Sequence, residues 1–389
     1  MALVAALAAC QSERPAPTTA SAPPAPSFPP GPSASSPSAA PSPSASADCV
    51  TATLGGLSPA ERAGQVLMVG TSVNAPSGMG DTVRRYHLGG VFLHGRSTNS
   101  AAELRSDIDD LQKRAGTPLL ISLDQEGGAV QTLKGPDFPI IASAATLGAG
   151  PQAKLRSTVA DSAKRLAGIG VTVNLAPVAD TVPASLGKQN PPIGAFRRQY
   201  GSDPVKVAAA IRTVVPASQD AGVLTVLKHF PGLGRVRFNT DTSAKAVDDQ
   251  ATTTDPYLRP FADGIRTGSA GVMISSASYP RLDRSAIAAF SKPIITGLLR
   301  EKLGFTGLVM SDDLGAGVAV SAVPPGDRAV RFVAAGGDMV LTIRAADAAP
   351  MASALLAKAG KDPAFRARLT DAARHVLRAK QKAGLLRCG

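Results

Sequence analysis

The residues best suited to chemistry in this chain of 389 residues are charged side chains that stand where apolar runs stop. Residues 223–227, V-L-T-V-L, read as a strand buried on both faces, and the run ends in Lys228 and His229. Phe230-Pro231-Gly232 then turns the chain away, because proline cannot continue a central strand and glycine reaches backbone angles closed to other residues. A cation and an imidazole are left at the carboxyl end of a buried strand. The pattern recurs at Asp124-Gln125-Glu126, along the polar stretch from Asn174 to Asp180, and at Ser311-Asp312-Asp313. Carboxylates accept hydrogen bonds, Lys and Arg donate them, and His does either. In parallel sheets the carboxyl ends of the strands are where ligands bind. Ion-pair networks also gather charge at such places, so one ending alone would carry little. Four at the same end are hard to explain as solvent-facing loops.

The elements that must position these groups alternate along the chain. Candidate strands lie at 66–70, 90–94, 119–124, 171–177, 223–229, 271–276, 307–312 and 338–342. Segments of helical periodicity lie between them, at 101–114, 152–166, 204–220 and 293–303 among others. Repeated βα units of this number close into a (β/α)8 TIM-type barrel, and the chain is long enough for one such catalytic domain. The rival is a doubly wound open sheet. It would need a glycine-rich phosphate turn, and neither G-x-G-x-x-G after the first strand nor a Walker sequence occurs.

Four motifs carry a family resemblance. They are K-H-F-P-G-L-G at 228–234, G-L-V-M-S-D-D-L at 307–314, D-Q-E-G-G at 124–128, and Ile193-Gly194 leading to Arg197-Arg198-Gln199-Tyr200-Gly201. Together they resemble glycoside hydrolase family 3, in particular its single-domain β-N-acetylglucosaminidase branch, over nearly all of residues 49–389. The resemblance implies a retaining glycosidase with Asp312 as the nucleophile. It implies that Asp124, Arg198, Lys228 and His229 hold sugar hydroxyls, that Glu126 buttresses their loop, and that Asp313 caps the next element or braces its neighbour. It implies no cofactor, and no metal is expected, since the four histidines are scattered without ligand spacing.

The chain also departs from the family pattern. Where the family reads Asp-Ser-His, an acid/base pair on a flexible loop, this chain reads Asn239-Thr240-Asp241, and Leu233 replaces a usual histidine. Retaining hydrolysis still needs a group to protonate the leaving oxygen. Asp241 stands in the place of the missing histidine and is the candidate acid. Ala129 and Thr132 replace two family arginines, and Lys134 is a candidate substitute.

The amino terminus belongs to a different category. Residues 1–9 are apolar and lead through Leu7-Ala8-Ala9 to Cys10, which resembles a bacterial lipobox with Cys10 as the lipidated residue. The run is short and no Lys or Arg precedes it, which points to a start codon further upstream. Residues 10–48 are dominated by Pro, Ser, Ala and Thr and read as a disordered tether, leaving 49–389 as the barrel domain. The expected location is extracytoplasmic, anchored to the membrane through the lipid. In that setting Cys49 and Cys388 are expected to form a disulfide that closes the domain end to end.

The net charge of +12 is spread along helices, with no Trp and few Tyr to interleave it. This excludes a nucleic-acid partner and leaves a solvated surface suited to anionic wall polymers or lipid heads. The expected partner is a carbohydrate, and the expected state a monomer. Three functions follow: a β-N-acetylhexosaminidase acting on wall-derived sugars, a wall-sugar-binding lipoprotein with weakened turnover, or a transglycosylase or phosphorylase. The intact S-D-D sequence favours the first.

Overall fold

A computed structural model describes residues 43–386. Its centre is a closed barrel of eight parallel strands, each beside the next and the last paired with the first. The strands are β1 (Leu67–Ser72), β2 (Gly90–His94), β3 (Leu120–Leu123), β4 (Val173–Asn174), β5 (Leu224–Phe230), β6 (Gly271–Ile274), β7 (Leu308–Asp313) and β8 (Met339–Thr342). Helices surround it, so the (β/α)8 expectation holds.

Alternation of side chains explains why the strands are apolar throughout. Met68, Phe92, Val226, Met273, Met310 and Leu341 form one cluster that fills the barrel. Their chain neighbours Val69, Val91, Leu227, Val272, Val309 and Val340 belong to a second cluster, the shell beneath the helices. Val376 and Ala379 of the helix Pro363–Lys382 join the inner cluster beside Leu308 and Ala270, where β7 and β6 begin. That end is therefore packed with apolar side chains. The opposite end is left to the charged strand termini.

The helices start where local chemistry tells them to. Ser100 and Glu103 form a reciprocal capping box on Ala101–Arg114, with Ser100 N–H donating to Glu103 Oε2 at 2.8 Å. Asp203 accepts the Val205 N–H at 2.8 Å ahead of Pro204–Gln219. The helix expected over 293–303 is a π-helix, Pro293–Lys302.

Two boundaries differ from expectation. The fourth strand, expected over 171–177, is regular only over Val173–Asn174, and beyond it the Ala176 and Pro177 carbonyls accept from the Val226 and Lys228 N–H groups at 2.9 and 3.2 Å as irregular pairing. A helix, Pro43–Gly56, begins inside the segment 10–48 expected to be a tether. Proline at a first helical position followed by alternating Ser and Ala is compatible with that start. Cys49 on this helix is disulfide-bonded. Its expected partner Cys388 and the expected lipid site Cys10 lie outside the described residues. No helix among the described residues is long and apolar enough to cross a membrane.

A buried ion cluster ties the shell together. Asp338, just before β8, has no exposed surface and accepts from Arg300, Arg368, the Nδ1 of His375 at 3.0 Å and the Val309 N–H at 2.9 Å. Burial alone would raise its carboxyl, but His375 and the two arginines outweigh it and hold it below the ordinary range. Asp338→Ala leaves two largely buried guanidinium groups without their shared counter-ion, a change that costs about 3–5 kcal/mol. Urea denaturation measures it, and a loss under about 1 kcal/mol, the worth of a surface pair, would contradict the account.

Candidate active site

The six residues expected to form the site, Asp124, Arg198, Lys228, His229, Asp241 and Asp312, all line one cavity of about 460 Å³ at the carboxyl ends of the strands. Phe92, Met273 and Leu341 from the barrel interior also line it. Lys134 does not line it, so the expected substitute cation is placed elsewhere.

Lys228 stands near the end of β5, and its side chain is 3% exposed. Its ammonium donates to Asp124 Oδ1 and lies equally close to Glu126 Oε1, 2.6 Å from each. Arg198 meets Glu126 as a fork, with Nε to Oε2 at 2.9 Å and Nη2 to Oε1 at 2.7 Å, while Nη1 donates to the Pro192 carbonyl at 2.8 Å. Burial alone would raise the Glu126 carboxyl, but the charges of Arg198 and Lys228 and their hydrogen bonds bring it down to about 2. Glu126 therefore stays ionised. The stability it contributes is full above its ordinary value of 4.5 and is lost as pH falls toward about 2. Burial works against the Lys228 charge too, and Asp124 and Glu126 more than restore it.

Donor capacity remains after these bonds. An ammonium has three protons and a guanidinium five, so Lys228 and Arg198 each keep at least one for a ligand. Asp124, still partly exposed in the cavity, keeps acceptor capacity. Donors and acceptors of this kind, side by side, are suited to hydroxyl groups. Arg197, the neighbouring candidate, sits in a left-handed conformation with φ 58° at the end of the turn Gly194–Phe196 and is exposed outside the cavity.

The loops that carry these groups are fixed by residues the sequence did not mark as functional. Asp180, fully buried, accepts from His229 Nδ1 at 2.7 Å and from the Leu233 N–H at 2.7 Å. A carboxylate only accepts, so Nδ1 carries the proton and Nε2 turns toward Arg198 Nη2, 3.5 Å away. Asn190, also buried, donates to the Leu233 and Val236 carbonyls at 2.8 and 2.9 Å and accepts the Ile193 and Gly194 N–H groups at 3.0 and 2.8 Å. It locks the loop after β4 to the loop after β5. The only signal for either was position, at the close of one polar stretch and the opening of the next. In the loop after β3, Gly127 has φ 93° and a Cβ there would lie 2.6 Å from the Ala142 carbonyl, so D-Q-E-G-G needs that glycine.

Asp312 and Asp313 end β7 with different surroundings. Asp313 accepts three backbone N–H groups, from Gly315 at 2.8 Å and from Ala316 and Ile343 at 2.9 Å, and so braces the turn against β8. Asp312 accepts one, the Asp313 N–H at 2.8 Å, and lines the cavity. Burial pushes its carboxyl above the ordinary aspartate range; His229 works against the rise, and Asp241 and Asp313 add to it. Asp241 belongs to the loop after β5, yet that loop is fastened to the one after β7. Val318 N–H donates to the Asp241 carbonyl at 3.2 Å and Ala319 N–H to the Thr240 carbonyl at 3.1 Å. The Asp241 carboxylate itself has no hydrogen-bond partner among the described residues, and it faces the same cavity as Asp312.

Fold and site together define a barrel with a charged cavity at the carboxyl ends of its strands, lined by Asp312 at the end of β7. The chain belongs to glycoside hydrolase family 3: residues 60–379 match the model described as the glycosyl hydrolase family 3 N terminal domain. The protein is a glycoside hydrolase. A β-hexosaminidase of Xanthomonas oryzae pv. oryzae is 33% identical over 275 residues, which is 67% of this chain and 78% of that one. The β-hexosaminidase LpqI of Mycobacterium tuberculosis is 30% identical over 299 residues, 74% of each chain. The crystal structure of a β-N-acetylhexosaminidase from Beutenbergia cavernae superposes with a TM-score of 0.82 at 43% identity, covering 84% of this chain and 99% of that one.

The raised Asp312 carboxyl gives a pH expectation with a definite sign. In the nucleophile's role that the family resemblance gives it, Asp312 must be ionised, and kcat/KM is then expected to fall as pH drops through a value above the ordinary aspartate pKa of about 3.9. Asp241→Asn removes a neighbouring negative charge, so that acidic limb moves to lower pH. An unmoved limb would show that the two carboxylates do not feel each other.

Proposed function

We propose that this protein is an exported, lipid-anchored retaining β-N-acetylhexosaminidase that removes terminal sugars from cell-wall-derived glycans. The β-hexosaminidases among its relatives support the substrate class. The observation that carries the mechanism is that Asp312, at the end of β7, and Asp241 face one cavity, with the Asp241 loop fastened by backbone hydrogen bonds to the loop after β7.

In this reading the sugar hydroxyls engage Asp124, Lys228, Arg198 and His229. The Asp312 carboxylate attacks the anomeric carbon while Asp241, protonated, gives its proton to the departing glycosidic oxygen. The glycosyl–Asp312 ester forms and the shortened glycan leaves. Asp241, now ionised, takes a proton from water as that water attacks the anomeric carbon, and Asp312 departs as a carboxylate. Two inversions give net retention. Burial, with the nearby Asp241 and Asp313 charges, disfavours ionisation of Asp312, and His229 works against that rise. Cys10 would carry the lipid, and the Pro, Ser and Ala stretch after it would hold the barrel away from the membrane.

Two substitutions test the roles. Asp312→Asn removes turnover while the urea midpoint stays close to that of the parent. Near-normal activity in that variant would end the retaining assignment. Asp241→Asn slows hydrolysis of sugar–sugar bonds by about 10²–10⁴, the usual worth of a general acid, and slows formation of the glycosyl-enzyme from activated aryl glycosides far less. Azide then rescues breakdown of the glycosyl-enzyme, because an anionic nucleophile needs no general base. Equal losses on good and poor leaving groups would count against Asp241 as the acid.

A further inference from the structure

A second cavity, of about 260 Å³, lies where β6 and β7 begin, at the end of the barrel away from the catalytic one. Its walls are residues 268–270 ahead of β6, residues 304–308 at the start of β7, and one face of the helix Pro363–Lys382. That face supplies His375, Arg378 and Lys382, which stand three and four residues apart and so share one side of the helix. No described Asp or Glu lines the cavity. Several cations drawn out of water in this protein are met by carboxylates: Lys228 by Asp124 and Glu126, Arg235 by Asp248 and Asp255, Arg300 and Arg368 by Asp338. Here they are not. The Lys382 ammonium donates to the Gly268 carbonyl at 2.8 Å, which holds it against the cavity wall, and it meets no carboxylate among the described residues. Burial pushes it below the ordinary lysine value, and no charge restores it. Arg378 makes no hydrogen bond or ion pair among the described residues.

The acids beside His375 are already engaged, Asp338 by Arg300 and Arg368, and Asp371 by Arg368 and Arg374. They leave the cavity's cations without a counter-ion. A guanidinium offers a planar fork that matches two oxygens of one anion, and an ammonium adds a point charge for a third. A carboxylate has two oxygens to give, and a phosphate has more. We propose that this cavity binds a phosphate group, carried by a small molecule or a lipid headgroup, with Arg378 and Lys382 as its cationic contacts. The helix Pro43–Gly56, through which the chain enters the barrel domain, packs against the same helix Pro363–Lys382. A phosphate-bearing surface held at this end leaves the catalytic cavity facing away from it and open to substrate. The site does not depend on the sugar chemistry assigned to the other end.

Isothermal titration calorimetry of glycerol 3-phosphate into the full chain tests the site. Saturable binding is expected, and sodium acetate or sodium chloride at equal ionic strength should give none. Arg378→Ala combined with Lys382→Ala weakens the binding by about tenfold or more, the worth of a charge-assisted hydrogen bond. Arg156→Ala combined with Lys206→Ala removes the same charge from two helices that do not line the cavity, and leaves the binding unchanged. A vesicle arm separates the sources. The full chain carrying Cys10→Ala, which cannot take a lipid of its own, is sedimented with phosphatidylglycerol vesicles. Sedimentation that is lost with the Arg378 and Lys382 substitutions and kept with the control pair assigns a lipid headgroup. Glycerol 3-phosphate binding without sedimentation assigns a soluble phosphate compound. No saturable binding of glycerol 3-phosphate, or equal weakening by both pairs of substitutions, would overturn the site.

Discussion

Lys228 is a buried cation held between two carboxylates, and much of the site depends on that arrangement. Taking an ammonium out of water costs several kcal/mol, and attraction offsets this only where the geometry is close and every charge is shared. Here Asp124 and Glu126 lie 2.6 Å from the nitrogen, and Glu126 is also gripped by Arg198. The network thus joins the ends of β3 and β5 to the loop after β4. Its members are held in place before a ligand arrives, which lowers the ordering entropy that binding must overcome. The same rigidity explains why the neighbouring polar residues are structural in their bonding. Asp180 fixes the His229 ring, and Asn190 fixes the loop that presents Arg198.

The barrel and the contents of its mouth were legible in the sequence, because strands buried on both faces leave uninterrupted apolar runs whose ends are conspicuous. The runs ending at Lys228 and at Asp312 show this most clearly. The regular part of β4 is shorter than the apolar run suggests, since pairing beyond Asn174 continues only through single bonds such as Lys228 N–H to the Pro177 carbonyl. Asp180 and Asn190 were not singled out, because most of their bonds are to backbone groups of distant loops, which no local pattern announces. The start of the first helix at Pro43 was hidden by composition, as Ser and Ala serve a tether and a helix turn equally well.

Asp241 is where local chemistry and family pattern diverge. The loop bearing it has lost the histidine of the family sequence, yet it is not free-standing, since Thr240 and Asp241 offer carbonyls to the N–H groups of Ala319 and Val318. A carboxylate on a loop fastened to the turn that follows Asp312 and Asp313 needs less conformational search than a residue on a free lid. It also places two acids in one cavity, where the nearby Asp241 charge adds to the rise that burial gives the Asp312 carboxyl.

The central claim is that Asp312 forms a covalent bond to the sugar. The most direct measurement is to incubate the protein with 2-acetamido-2-deoxy-5-fluoro-β-glucosyl fluoride, whose ring fluorine slows both steps while the fluoride leaving group speeds the first. Digestion and mass spectrometry then locate the adduct. The account predicts a single glycosylated peptide with the sugar esterified to Asp312, absent when the cavity is first filled with a competing sugar. An adduct on Asp241 or Asp124, or turnover with no covalent adduct, would contradict it.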